Sequence, residues 1–234
     1  MPATYGCGLG MKNRLLKWMS VIKRSEMIPV ETLLTFFLAS VLLAFAPGPD
    51  NIFVLTQSSL YGKRSGLVVM LGLCTGLVVH SFAVALGVVV IFQQSALAFS
   101  ALKMAGAGYL LYLAWQAFRA SATKIQGKGR GEIRLVKLYG RGIIMNITNP
   151  KVSIFFLAFL PQFADPSRGP VWLQILILGG VFILSTVLVF GGVAMLAGTI
   201  GQWVNRSGQV QKIMNRVAGT VFIVLALKLA TTER

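Results

Sequence analysis

Acidic residues are scarce in this chain. Its 234 residues include 22 Lys and Arg but only 6 Asp and Glu, with one histidine and two cysteines. Each shortage excludes a class of chemistry. A single histidine, His80, and so few carboxylates argue against a dedicated metal site. Cys7 and Cys74 do not make a disulfide framework, because Cys74 lies inside an apolar run. There is no Gly-rich phosphate loop, no HExxH and no CxxC. His80 has no evident Ser or Cys partner, which disfavours an intramembrane enzyme. Charged residues make up 12% of the chain, where a soluble domain carries about 25%.

Apolar sequence fills the space. Hydrophobic residues reach 56%, mean hydropathy is +0.76, and runs of roughly 20 apolar residues recur from Thr32 onward. The pattern predicts an all-α integral membrane protein with six spans. These are Thr32–Leu60, Gly66–Phe92, Leu97–Phe118, Gly142–Leu160, Val171–Ile200 and Ile213–Ala230. No room is left for a soluble domain. The net charge of +16 is not a nucleic-acid signature, because the basic residues sit mainly between spans.

Those residues set an orientation by the positive-inside rule. With the start of the first span outside, the inner segments hold Lys63, Arg64, Arg119, Lys124, Lys128, Arg130, Arg134, Lys137, Arg141, Arg206, Lys212 and Arg216. The outer side holds Arg168, Lys228 and Arg234. Residues 1–26 conflict with this. They carry five more basic residues on the outer side and lack the apolar core of a secretory signal. They are read as an extension upstream of a natural start at Met27, or as a short helix on the membrane surface. The transporter domain is then 27–234.

Two spans are interrupted. In the first, Pro47-Gly48-Pro49-Asp50-Asn51 cannot continue a helix, since each proline lacks an N–H and clashes with the preceding turn. In the fourth, Asn146-Ile147-Thr148-Asn149-Pro150-Lys151 makes a second break. Each break opens a three-span half, about 30–119 and 138–231. Three is odd, so the halves cross in opposite directions, which is an inverted repeat. Thr32 to Ala46 rises about 22 Å as a helix from the outer face, and Arg141 to Asn149 about 12 Å from the inner face. In a core of about 30 Å both breaks fall in the inner half and can meet.

A break in lipid exposes backbone N–H and C=O groups, tolerated only where protein or a wet cavity satisfies them. Half-helix N-termini attract anions, while carbonyls and carboxylates attract cations. A zwitterionic amino acid offers both charges. The candidate binding residues are Gly48, Asp50, Asn51, Asn149, Pro150 and Lys151, with Pro47, Pro49 and Pro150 making the breaks. Asp50 is the only acid between Glu31 and Glu132; it would receive an ammonium and, by changing charge, couple to protons. As a plain alternative, it caps the half-helix starting near Ile52. Lys151 either snorkels to the inner interface or pairs with Asp50 or a substrate carboxylate. Gly72, Gly76 and His80 share one helix face, and the glycines admit a close neighbour. His80 then points inward. A hydrogen-bonded interior histidine is preferred there to a proton relay with Asp50.

These breaks, with Tyr61-Gly62-Lys63-Arg64-Ser65-Gly66, Gly108-Tyr109-Leu110-Leu111-Tyr112-Leu113 and Phe155-Phe156-Leu157-Ala158-Phe159-Leu160-Pro161-Gln162-Phe163, resemble the signatures of the LysE/RhtB amino-acid exporters. The likeness spans about 28–232. It implies a bacterial inner-membrane efflux permease for amino acids or derivatives, driven by an ion gradient. Its implied partners are a small amino acid, protons and the lipid bilayer, without cofactor or nucleic acid; family carriers also admit a homo-oligomer. Competing readings are an exporter of another small cation and a non-transport membrane scaffold, which needs no matched breaks. The charge distribution predicts outside termini. A reporter fused after Arg234 is expected to be active only on the periplasmic side, and cytoplasmic activity would reverse the topology.

Overall fold

The computed structural model describes residues 27–46, 48–94, 96–120, 134–206 and 208–231. The extension expected at 1–26, the break residue Pro47, the basic residues Lys124, Lys128 and Arg130, and Arg234 lie outside them. Every regular element among the described residues is helical. In chain order these are α1 (Val30–Phe45), α2 (Pro49–Tyr61), α3 (Lys63–Gln94), α4 (Ala96–Arg119), α5 (Leu135–Ile147), α6 (Pro150–Ile154), α7 (Val171–Arg206) and α8 (Gly208–Thr231). A π-helical turn (Phe155–Phe159) and a 3-10 turn (Leu160–Phe163) extend α6, and a second 3-10 turn covers Pro166–Arg168.

The protein is an all-α membrane protein. Lys63–Gly87, Val171–Ala197 and Gln211–Thr231 are each long and apolar enough to cross a bilayer. Two further helices are broken. α1 and α2 meet at 62°, and α5 meets the Pro150–Phe163 arm at 49°. Counting each bent pair as one span gives up to five by length and composition. α4, the expected third span, has 24 residues but holds Lys103 and Gln116, and is not among the five. The helices overrun several expected ends: α3 continues through Gln94, where a turn at Gln93-Gln94-Ser95 was expected, and α7 reaches Arg206. Polar residues at a membrane edge do not end a helix unless they change the backbone, and neither segment contains proline.

Apolar side chains cover both the inside and the outside. Phe36, Phe155, Phe156, Phe159, Leu73, Leu110 and Leu178 are buried, while Leu38, Leu86, Val136, Ile144, Leu188 and Leu227 are exposed. A surface so rich in large aliphatics is suited to lipid.

The helices pack in pairs. α3 lies against α5 and α7, α1 and α2 lie against α7, and α4 lies against α8. α1 also touches α8, and the π turn touches α4. Exchange the broken pair α1–α2 with the α5–α6 arm, α3 with α7, and α4 with α8. Most of these contacts then map onto one another, although the close contact of α2 with α3 is matched by only a slight one between the Leu160–Phe163 turn and α7.

Glycine sets the closest approach. A Cβ on Gly72 would lie 2.3 Å from the Tyr139 carbonyl oxygen and 3.0 Å from Gly142 Cα. One on Gly142 would lie 2.6 Å from the Val69 oxygen. Here α3 and α5 touch backbone to backbone, as the small residues at 72 and 76 predicted. Gly108 has nothing within 4 Å of the same position. Gly72→Ala is therefore expected to destabilise the folded protein by about 1–3 kcal/mol, and Gly108→Ala to leave it unchanged or slightly firmer. Thermal unfolding of both variants in detergent checks the contrast.

Candidate functional site

The first break leaves carbonyls without helical donors. Leu43 O would bond the nitrogen of residue 47, a proline, which has no N–H, and keeps only a tightened contact from Ala46 N–H at 3.2 Å. Gly48 stands extended (φ −170°, ψ 176°) before Pro49 at the first position of α2. The open C-terminus of α1 is closed by side chains. Asn51 Nδ2 donates to Ala44 O and Ala46 O, both at 2.8 Å. Lys151 Nζ, reaching over from the other half, donates to Ala46 O at 3.1 Å and Leu43 O at 3.4 Å. A Cβ on Gly48 would sit 3.0 Å from that ammonium, so glycine admits the lysine tip.

The second break is built differently. Asn149 caps α6, its side-chain oxygen accepting Lys151 N–H at 3.0 Å. Pro150 takes the first helical position, where a missing N–H does no harm. Asn149 Nδ2 faces the other break and donates to Asp50 Oδ2 at 2.9 Å. His80 Nε2 donates to Asn146 O at 3.3 Å, a carbonyl near the end of α5 that also accepts Asn149 N–H at 3.1 Å.

The two breaks thus meet. Asp50, Asn149 and Lys151 are all buried, and hydrogen bonds run from Asp50 through Asn149 to Lys151 and back to Ala46. Gly48, Asn51 and Pro150 belong to the same junction, while Pro47 lies outside the described residues. Two expectations change. Lys151 makes no direct salt bridge to Asp50, although the two charges still attract each other, and it does not snorkel; its ammonium binds backbone carbonyls. Nor does Asp50 cap a helix at Ile52: α2 begins at Pro49, its cap is Gly48, and no side chain serves there. Helix geometry fixes that start, since Pro49 can only enter at the first turn. His80 is half-buried, bonded to a carbonyl and packed 5.6 Å from the Phe156 ring.

Among the described residues, four buried acceptors have no partner: Asp50 Oδ1, Asn51 Oδ1, Gln57 Oε1 and Asn146 Oδ1. Asn146 and Gln57 were not singled out from the sequence. The available signal was an amide within an apolar segment. Asn146 lies against α3 where Gly76 makes space for it, a Cβ there falling 2.6 Å from Asn146 Oδ1.

Paired helix breaks with a buried carboxylate between them, inside a lipid-facing helical bundle, define a membrane translocator. Residues 41–233 match the LysE type translocator family, and the chain belongs to it. Among its relatives, the homoserine/homoserine lactone efflux protein of Salmonella typhimurium is 36% identical over 85% of this chain and 95% of its own length. An uncharacterized membrane protein of Vibrio cholerae is 33% identical over 86% and 97%. The leucine efflux protein of Salmonella choleraesuis is 25% identical over 85% and 94%. No solved structure matches.

Removing the Asn149 side chain takes away both the α6 cap and the donor to Asp50. Asn149→Ala is expected to insert normally, with a cap loss of about 1 kcal/mol, yet to move cargo at less than a tenth of the normal rate. Normal rates in reconstituted vesicles would show that the junction is not used.

Proposed function

We propose that the protein is a secondary-active exporter of amino acids or their derivatives across a bacterial inner membrane. The junction of the two breaks is its cargo site. The observation that carries this reading is the set of four unpartnered acceptors, one of them the Asp50 carboxylate. A buried acceptor left without a donor costs about 1–3 kcal/mol. An ammonium brings three donors and a positive charge, so it answers that deficit. Asp50 receives it, with the amide oxygens of Asn51 and Asn146 as further acceptors. Lys151 is engaged by carbonyls, so in this arrangement it holds the breaks together, and release from them would free it for a carboxylate.

The relatives named for homoserine, homoserine lactone and leucine efflux support amino acids as the cargo class. The largely self-mapping helix contacts support two inverted three-helix repeats, with α4 as the third span. In that arrangement the two breaks exchange with each other, and alternating access follows by rocking one half against the other. The acceptor-only character of the unpartnered atoms favours one second reading, the export of a small cation without a carboxylate.

Asp50→Asn separates these roles. It keeps size and hydrogen bonding and removes the charge. The variant is expected to insert, to lose export, and to lose any pH dependence of residual export. Vesicle assays of leucine and homoserine at several pH values check this. Wild-type rates with an unchanged pH profile would remove Asp50 from the mechanism.

A further inference from the structure

A second polar site lies at the opposite end of the broken arms. α1 runs about 24 Å from its start to the first break, and the Pro150–Phe163 arm leaves the second break in the same company. Where they end, a cavity of about 450 Å³ opens, lined by the start of α1, the Phe159–Asp165 segment, Arg168, Gln174 and Lys228 of α8. That volume is in the range of small-molecule sites, about 300–1,000 Å³. A phenylalanine stack separates it from the break junction. Phe36 lies 6.0 Å from Phe155 and 5.1 Å from Phe163, and Phe155 lies 4.8 Å from Phe159.

The cavity is built, and its charge is unlike the rest of the chain. In a protein of net charge +16, its wall holds two acids, Glu31 and Asp165, and two bases, Arg168 and Lys228. The fully buried Gln174 fixes the rim, donating to Asp165 O and Gly169 O and accepting Asp165 N–H at 2.9 Å. Asp165 is committed: its carboxylate accepts from Ser167 N–H, Ser167 Oγ and Arg168 Nε. Those bonds, from Ser167 above all, hold its carboxyl below the ordinary carboxylate range, so it stays ionised and keeps Arg168 beside it. Lys228 is held with its ammonium 4.6 Å from the Phe163 ring centre. Glu31 projects from the first turn of α1.

We propose that this cavity is a second binding site for a zwitterionic amino acid, with the ammonium on Glu31 and the carboxylate on Lys228. The identity of the cargo rests on the exporter reading above, and by the predicted orientation this is the release side. An amino acid leaving the break junction would pass the phenylalanine stack and meet a wall offering both charges before reaching water. A simple anion or cation gains from only one half of that wall.

The test uses the full chain in nanodiscs carrying Asp50→Asn, which disables the break junction, with L-homoserine and homoserine lactone as probes. The lactone keeps the amine and lacks the carboxylate. Saturable homoserine binding is expected to survive Asp50→Asn. Lys228→Gln should weaken homoserine about tenfold and leave the lactone unchanged, while Glu31→Gln should weaken both. Both side chains are exposed, so neither substitution threatens folding. Absence of saturable homoserine binding in the Asp50→Asn protein, or binding indifferent to both further substitutions, overturns the second site. Export by the wild-type protein is scored separately. If it fails while cavity binding behaves as stated, the exporter reading falls and the zwitterion site stands.

Discussion

Backbone satisfaction in lipid governs this structure. An uninterrupted helix meets the requirement by itself, and α3, α7 and α8 do so. A broken one does not, and each open peptide group in hydrocarbon is worth several kcal/mol. The carbonyls released around Pro47 and Pro49 are met from two directions, by Asn51 within the same half and by Lys151 from the other half. The second break closes through its own cap, Asn149, whose remaining donor turns to Asp50. The bend that creates the polar junction therefore also requires the two halves to be in contact. An isolated first half would leave Leu43 O without the Lys151 ammonium.

Packing around the junction follows from that contact. Gly72 and Gly142 bring α3 and α5 to backbone distance, and Gly76 leaves space for Asn146. Beyond the junction the interior turns aromatic. Phe155, Phe156 and Phe159 lie on a π-helical turn, in which Leu160 N–H reaches back to Phe155 O. Pro161 follows directly and cannot supply the N–H that an α-helix would offer to Leu157. The widened turn and the 3-10 turn after it place Phe155, Phe159 and Phe163 in one column against Phe36.

The breaks were legible in the sequence because proline acts on the backbone locally, wherever it falls. So were the membrane class and the inward face of Gly72, Gly76 and His80, which depend on composition and helical period. Partner choice was not legible. A lysine beside a carboxylate suggests an ion pair, yet Lys151 is taken by carbonyls that exist only because another segment is broken. Asn146 was hidden for a related reason, since an amide acquires meaning from what it lacks in three dimensions. The cavity at the far end was invisible, because Glu31, Asp165 and Lys228 are distant in sequence and each reads as an ordinary loop or interface charge.

Lys151 bonds to backbone oxygen and to no side chain of α1. Any residue at 43 or 46 presents the same carbonyl, so the tie itself does not depend on which side chain stands there, although both side chains are packed in the core. Position 151 has no such freedom, because a shorter or uncharged side chain there would remove the one donor that both oxygens take from beyond the first break, leaving Leu43 O to the Ala46 N–H and Ala46 O to Asn51. The fastening between the breaks is thereby held by backbone oxygens on one side and the Lys151 ammonium on the other. A lineage could exchange other side chains around the junction while the fastening between the two breaks stayed as it was.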